Sequence, residues 1–404
     1  MPRIRNVYTG LFTTAYALAL TMGFAAPASA EDGLTDTEIV LGGTHPYSGP
    51  ASAYGAVGKG IAAYFGYVND HGGVNGRKIT YKDLDDSYSP PQAVQLVKQL
   101  VEQDKVFAMF NTLGTGVNIA IRPYLNQQQV PQLFVATGAA VFSDPAHFKW
   151  TLGFQPNYQT ESRIFGKHIL ATKPGAKIAV LYQNDGFGKD YLTGLKAGLG
   201  SDNVGMVVKE ASYETSEPTV DSQVASLQGS GADVFLIAAT PKFAAQAIRR
   251  SYDLGWEATR YVTDVSLSIA SVLKAAGLEK AKGLITANYG KDASDPRWKD
   301  DAGFKQYKDF VDKHMTAKDL IDSNTIYGYD AALCLAHVLK QCGDDLSRDN
   351  ILKQATSIKD LDLPMLLPGV KINTSSDNYS PIRQMQLQTF DGTSWQLFGE
   401  VLQG

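Results

Sequence analysis

The chain is poor in several things that would otherwise decide its class. It has two cysteines and six histidines in 404 residues. Cys334 and Cys342 fall eight apart on one helical stretch. A continuous helix separates them by about 12 Å, too far for a disulfide, so both are expected to be free thiols. With so few and so scattered ligands there is no zinc spacing, and no metal is expected. Charge of one sign is also scarce. The formal net charge is −4, which argues against non-specific binding of nucleic acid. No G-x-S-x-G elbow occurs. Each Gly-Lys pair lacks a following Ser or Thr, so there is no phosphate-binding P-loop. The turn "NDGFGKDY" has Gly186 and Gly188 of a dinucleotide pattern, but Tyr191 stands in place of the third glycine. No catalytic constellation or cofactor site emerges, and an enzyme is not expected.

Long apolar runs are missing after residue 30. Before it, Arg3 and Arg5, the uncharged Ala15–Ala26 run and the small-residue site Ala28-Ser29-Ala30 read as a secretory signal peptide cleaved after Ala30. The run is short for a retained anchor of about 20 residues, and Pro27 closes it. Residues 31–404 are therefore expected to be exported from the cytoplasm.

What is present is alternation. Apolar β-type runs at Ile39–Gly42, Lys78–Leu84, Val106–Phe110 and Leu133–Ala136 are separated by segments of helical period. The first of those segments places Val57, Ile61, Tyr64, Phe65 and Val68 on one face. Ser89 followed by Pro90 and Pro91 reads as the start of the next helix. The rhythm restarts near residue 158, with strands at Lys177–Tyr182, Met206–Glu210, Asp233–Ala239 and Arg260–Thr263. A less regular final third holds a strand at Gly283–Tyr289, three helices, and strands Gln384–Phe390 and Trp395–Gly399. Two runs of β-α alternation predict an α/β fold of two doubly wound parallel-sheet lobes. The late helices are too few for a third domain and are expected to complete the earlier lobes.

In open α/β sheets, ligands sit beyond the carboxyl ends of strands. The loops there are 44–55, 111–116, 136–141, 184–188, 240–242 and 264–268. They are rich in Thr, Ser, Asn, Gly and aromatics. Segment 111–116 runs straight into a helix, whose free N–H groups suit a carboxylate. Tyr47 and Tyr54 stand in the first loop without any turn requirement. The pair Asp85-Asp86 reads as a capping pair at a strand end.

The segments "YSGPASAYG", "VNDHGGVNGRKI", "VPQLFVATG", "KIAVLYQNDGFGKDY", "DSQVASLQGSGADVFLIAATP" and "IYGYD" together resemble the periplasmic leucine/isoleucine/valine-binding type of solute-binding protein. The resemblance covers almost all of residues 31–404. It implies the type I periplasmic binding fold, with lobe I from 31–154 and 287–368, lobe II from 155–286 and 369–404, and three crossovers. It also implies a small-molecule ligand clamped by hinge closure, an ABC permease partner in the inner membrane, and a monomer. The family's ligand-binding positions fall on Tyr54, Thr115, the segment Ala136-Thr137-Gly138, and Phe187. Tyr47 and Asn111 join this expected ligand-binding set from the loop argument. Two positions depart from the amino-acid-binding members. Thr240 replaces a tyrosine, and the ammonium-pairing glutamate falls on Asp264 or, one residue on, Val265. A carboxylate-bearing ligand is expected. An aromatic acid is favoured over a branched-chain amino acid, because a missing carboxylate at 264–265 would leave an ammonium unpaired. A ligand-sensing receptor subunit is the alternative role, and a secreted enzyme ranks behind it.

Overall fold

The computed structural model describes residues 1–3 and 31–403. The signal-peptide reading and its cleavage point lie outside the described residues. Among the described residues no helix is long and apolar enough to cross a membrane.

The chain from Glu31 onward forms one unit by its internal contacts. It opens with β1 (Glu38–His45), α1 (Gly55–Asp70), β2 (Lys78–Asp85), α2 (Pro90–Glu102), β3 (Ala108–Phe110), α3 (Thr115–Gln127), β4 (Gln132–Val135) and β5 (Thr151–Gly153). These five strands make a parallel sheet in the order β2-β1-β3-β4-β5. Helices α2 and α3 cover one face through Val97, Leu100, Val117, Ile121 and Leu125. Ser89 does precede α2, but its side chain makes no capping bond; Pro90 and Pro91 fill the first turn, where a missing N–H costs nothing.

The second sheet begins after α4 (Tyr158–Thr172). It runs through β6 (Ile178–Gln183), α5 (Gly186–Leu199), β7 (Val207–Tyr213), α6 (Asp221–Gln228), β8 (Val234–Ala238), α7 (Pro241–Asp253) and β9 (Thr259–Val262). A π-helical turn at Ile269–Leu273 and the short helices α8 (Lys274–Ala276) and α9 (Leu278–Ala281) lead to β10 (Ile285–Asn288). Helices α4 and α5 pack almost backbone to backbone. A Cβ on Gly194 would lie 2.3 Å from the carbonyl oxygen of Gln159, and one on Gly198 2.4 Å from that of Arg163.

The chain then returns to the first sheet with α10 (Ala302–His314), α11 (Ser323–Cys342) and α12 (Arg348–Ala355). Helix α11 packs on α1, and Ile61, Phe65, Tyr329 and Leu335 share one core. Both cysteines lie buried on α11 as free thiols. The last strands, β11 (Gln384–Phe390) and β12 (Trp395–Gln403), join the second sheet in the order β12-β11-β10-β9-β8-β6-β7.

Two features differ from the sequence expectation. The second sheet is mixed rather than parallel, because β10–β11 and β11–β12 pair antiparallel. Asp391-Gly392 between β11 and β12 makes a tight hairpin, which only antiparallel strands can use. Val370, Ile372, Tyr379 and Ile382 pack in the core of the first sheet. The chain thus stays on that lobe well past residue 368 and enters the second sheet at Gln384.

Candidate functional site

A cavity with about 890 Å³ of empty space, its mouth included, lies where the carboxyl ends of the two sheets face each other. Both lobes and the crossing segments line it, as the switch-point argument requires. Of the ten ligand-binding candidates, Tyr54, Thr115, Ala136, Phe187, Thr240 and Asp264 line the cavity. Tyr47, Asn111, Thr137 and Gly138 do not.

One side of the cavity is rich in donors. Gly114, at φ 106°, turns the chain from β3 into α3. The N–H groups of Thr115, Gly116 and Val117 at the start of α3 have no carbonyl within the helix to bind. The Thr115 hydroxyl lies 2.7 Å from that of Thr137, which also accepts from the N–H of Ala139 at 3.1 Å. Thr137 therefore sits behind Thr115 and fixes it. Gly138 sits behind as well; its carbonyl accepts the N–H of Tyr158 at 2.8 Å. A Cβ there would fall 2.2 Å from the carbonyl oxygen of Pro156. A helix N-terminus with an adjoining hydroxyl stabilises a carboxylate.

Another part of the cavity is acidic. Asp264 follows β9 and lines the cavity. Its own N–H donates to Glu161 Oε1 at 2.8 Å, and the Tyr191 hydroxyl donates to Glu161 and, at 3.3 Å, to Asp264 Oδ1. Burial raises both carboxyls above their usual range, that of Asp264 to about 6, and the charge of Asp264 raises Glu161 further. No lysine or arginine offsets either group among the described residues. The pair holds a shared proton more readily than two charges. Val265 also lines the cavity, so a carboxyl is present whichever of the two residues matches the family position. Tyr191, which breaks the glycine pattern of a dinucleotide turn, is the residue that binds this acid pair.

Aromatic rings fill the space between. Tyr158 stacks on Tyr191 at 5.2 Å and meets Phe187 edge-on at 5.1 Å. Phe154 meets Tyr327 edge-on at 5.5 Å. Thr240 is buried, and its hydroxyl and N–H bind the Tyr213 hydroxyl at 3.1 and 2.9 Å. From α11, Asp330 reaches the cavity with Oδ1 unpartnered, and burial pushes its carboxyl up to about 8.

Glu161, Tyr88, Tyr158, Tyr289, Tyr327 and Asp330 were not among the sequence candidates. Glu161 carried a readable signal. It lies three and four residues before Ile164 and Phe165 on the buried face of α4, where an acid needs a reason. Tyr327 and Asp330 lie in the quoted "IYGYD" segment, but that segment marked only the family resemblance; no strand-end loop holds them, so the loop argument passed over them. Among the described residues no group of His, Cys, Asp or Glu is arranged to hold a metal ion.

Similarity to known proteins agrees with this geometry. A Leu/Ile/Val-binding protein homolog of Brucella abortus is 27% identical over 341 residues, 81% of this chain and 83% of the relative. A branched-chain amino acid ABC transporter protein from Thermus thermophilus, solved with bound valine, superposes with a TM-score of 0.82 at 15% identity, covering 92% of this chain and 98% of that one. An ABC transporter solute-binding protein from R. palustris, solved with benzoate, gives 0.76 at 19% identity, covering 91% and 98%. The profile of the periplasmic binding protein family matches residues 38–394, and the chain belongs to that family.

Proposed function

We propose that the protein captures an α-amino acid with an apolar or aromatic side chain between its lobes. It then delivers the ligand to an inner-membrane ABC permease, acting as a monomer in the periplasm after cleavage at Ala30. The observation that carries the ligand class is the Glu161–Asp264 pair. A purely anionic ligand would add charge beside a buried acid, at a cost of several kcal/mol. An ammonium group offsets that acid, while the start of α3 takes the carboxylate. The rings of Phe187, Tyr158 and Tyr54 suit an apolar body. This reverses the ranking reached from sequence, where a match at Val265 rather than Asp264 would leave the ammonium without a partner.

A free aromatic acid is the second reading. It is favoured by the ring-rich lining and by the benzoate-bound neighbour, and it needs the acid pair fully protonated. Calorimetric titration with L-leucine, L-phenylalanine and benzoate at pH 7.5 separates the two. Binding of either amino acid with weak or absent binding of benzoate is expected. Tight benzoate binding without amino-acid binding overturns the reading.

A further inference from the structure

Tyr47 and Asn111 do not line the cavity, yet both belong to one buried network behind it. Its centre is His45, the last residue of β1, with no exposed surface. Its Nδ1 lies 2.9 Å from Oδ1 of Asp83 on β2. The Tyr47 hydroxyl donates to the other Asp83 oxygen at 2.5 Å. His45 Nε2 is buried without a hydrogen-bond partner, as is Oδ1 of Asn111, whose amide is near enough to the ring to raise its pKa.

The orientation of the Asn111 amide is determined by its surroundings. Nδ2 donates to the carbonyl of Phe134 at 2.7 Å and to the Tyr327 hydroxyl at 3.2 Å. Flipping the amide would set oxygen against the Phe134 carbonyl oxygen, two acceptors in contact. Oδ1 must therefore face the histidine side, where only an N–H can satisfy it. The opposite ring nitrogen faces the Asp83 carboxylate, which only accepts, so that nitrogen too must donate. Both nitrogens need a proton. Burial lowers the pKa of His45, but the Asp83 carboxylate, the Asp86 charge and the Asn111 oxygen outweigh it, and the net shift is upward.

The consequence reaches the cavity. The Tyr327 hydroxyl lines it and already accepts from Asn111. A phenol has one proton, and no described side chain accepts that of Tyr327. We propose that His45 is a positioning residue: as an imidazolium it holds the Asn111 oxygen while the Phe134 carbonyl holds the amide N–H, and together they keep Asn111 donating to Tyr327, which obliges Tyr327 to donate its proton to an acceptor on the ligand. The ligand class rests on the reading of the cleft given above, whereas the charge of His45 does not.

Two measurements test this. In protein labelled with ¹⁵N-histidine, the nitrogen shifts of His45 at pH 7.5 report its protonation. The five other histidines are assigned by single replacement with glutamine. Both His45 nitrogens should carry protons, where a free imidazole would be mostly neutral. The groups facing the ring are Asp83 and Asp86 at the end of β2 and Tyr47 from the first loop, so the charge should be lost only on the alkaline side. A neutral tautomer at pH 7.5 overturns the proposal.

The second measurement is a mutant cycle read by titration with L-phenylalanine and with benzoate. Asn111 has φ 53°, which aspartate also tolerates, so Asn111→Asp keeps the backbone but cannot donate to Tyr327. Asn111→Asp and Tyr327→Phe should each weaken binding about tenfold, and the double variant should bind no worse than the weaker single one. Wild-type affinity in Tyr327→Phe, or fully additive losses, contradicts the role. If benzoate alone binds, the amino-acid reading fails while the cycle on benzoate still decides the positioning role. The nitrogen shifts decide the charge of His45 whichever probe binds.

Discussion

The two polar ends of the cleft are built in opposite ways. The donor end uses backbone: the start of α3, with Thr137 bracing Thr115 from behind. Its parts lie within 25 residues of sequence and follow from a strand-to-helix turn. The acid end uses side chains from three separate segments, Glu161 on α4, Tyr191 on α5 and Asp264 after β9. Backbone donors face the cleft at little cost because every helix start has them. Buried carboxyls are costly when unpaired, and a fold keeps them where a partner arrives later. On the proposed reading, both ends contribute affinity and the acid end discriminates between ligands.

Removing the acid should give the largest effect. Asp264→Asn is expected to weaken binding of L-leucine or L-phenylalanine at least about 100-fold, while leaving benzoate unchanged or improved, as read by calorimetry. Equal losses for both ligand types would erase the distinction between the ends. Thr115→Val removes one neutral hydroxyl and leaves the backbone donors. A loss of about tenfold, shared by amino acids and benzoate alike, is the expected outcome.

The smallest effect should appear in the ligand-free protein. Asp264 is held up to about 6 and Asp330 up to about 8 by burial. A carboxyl whose folded pKa is raised stabilises the fold below its unfolded value, and that stability is lost as pH rises through the folded one. Thermal unfolding should therefore show a Tm that declines between pH 5 and 8. The decline should flatten in Asp264→Asn and in Asp330→Asn. A Tm that rises over that range would show that neither carboxyl is held neutral by its site.

Much of the fold was legible because alternation of strand and helix is a local property. The span Gln384–Phe390 agrees with the observed β11, and the two-lobe organisation follows from the restart near Tyr158. Strand direction was less legible. The Asp391-Gly392 turn announces a hairpin, but parallel pairing was carried over from the earlier βαβ units. Strand β5 has only three residues, and its parallel partner β4 lies sixteen residues earlier, too little for a pattern. The return of α11 to the first lobe was expected, but which of its faces meets the cleft is a tertiary fact, and with it came Tyr327 and Asp330.

The cavity lining was legible where a loop follows a strand, at Tyr54, Thr115, Ala136, Phe187, Thr240 and Asp264. Tyr47 and Asn111 share those loops, but Tyr47 turns back onto Asp83 and Asn111 onto the carbonyl of Phe134. A loop position says where a residue is, and the hydrogen bonds behind it decide which way it points.

On the proposed reading, the Glu161–Asp264 pair selects an amino acid over a simple acid. L-Phenylalanine and 3-phenylpropanoate differ only by the ammonium group. Calorimetric titration of both at pH 7.5 isolates that group from the carboxylate and the ring. Binding of phenylalanine at least about 100-fold tighter is the predicted result. Equal or tighter binding of 3-phenylpropanoate would contradict the account.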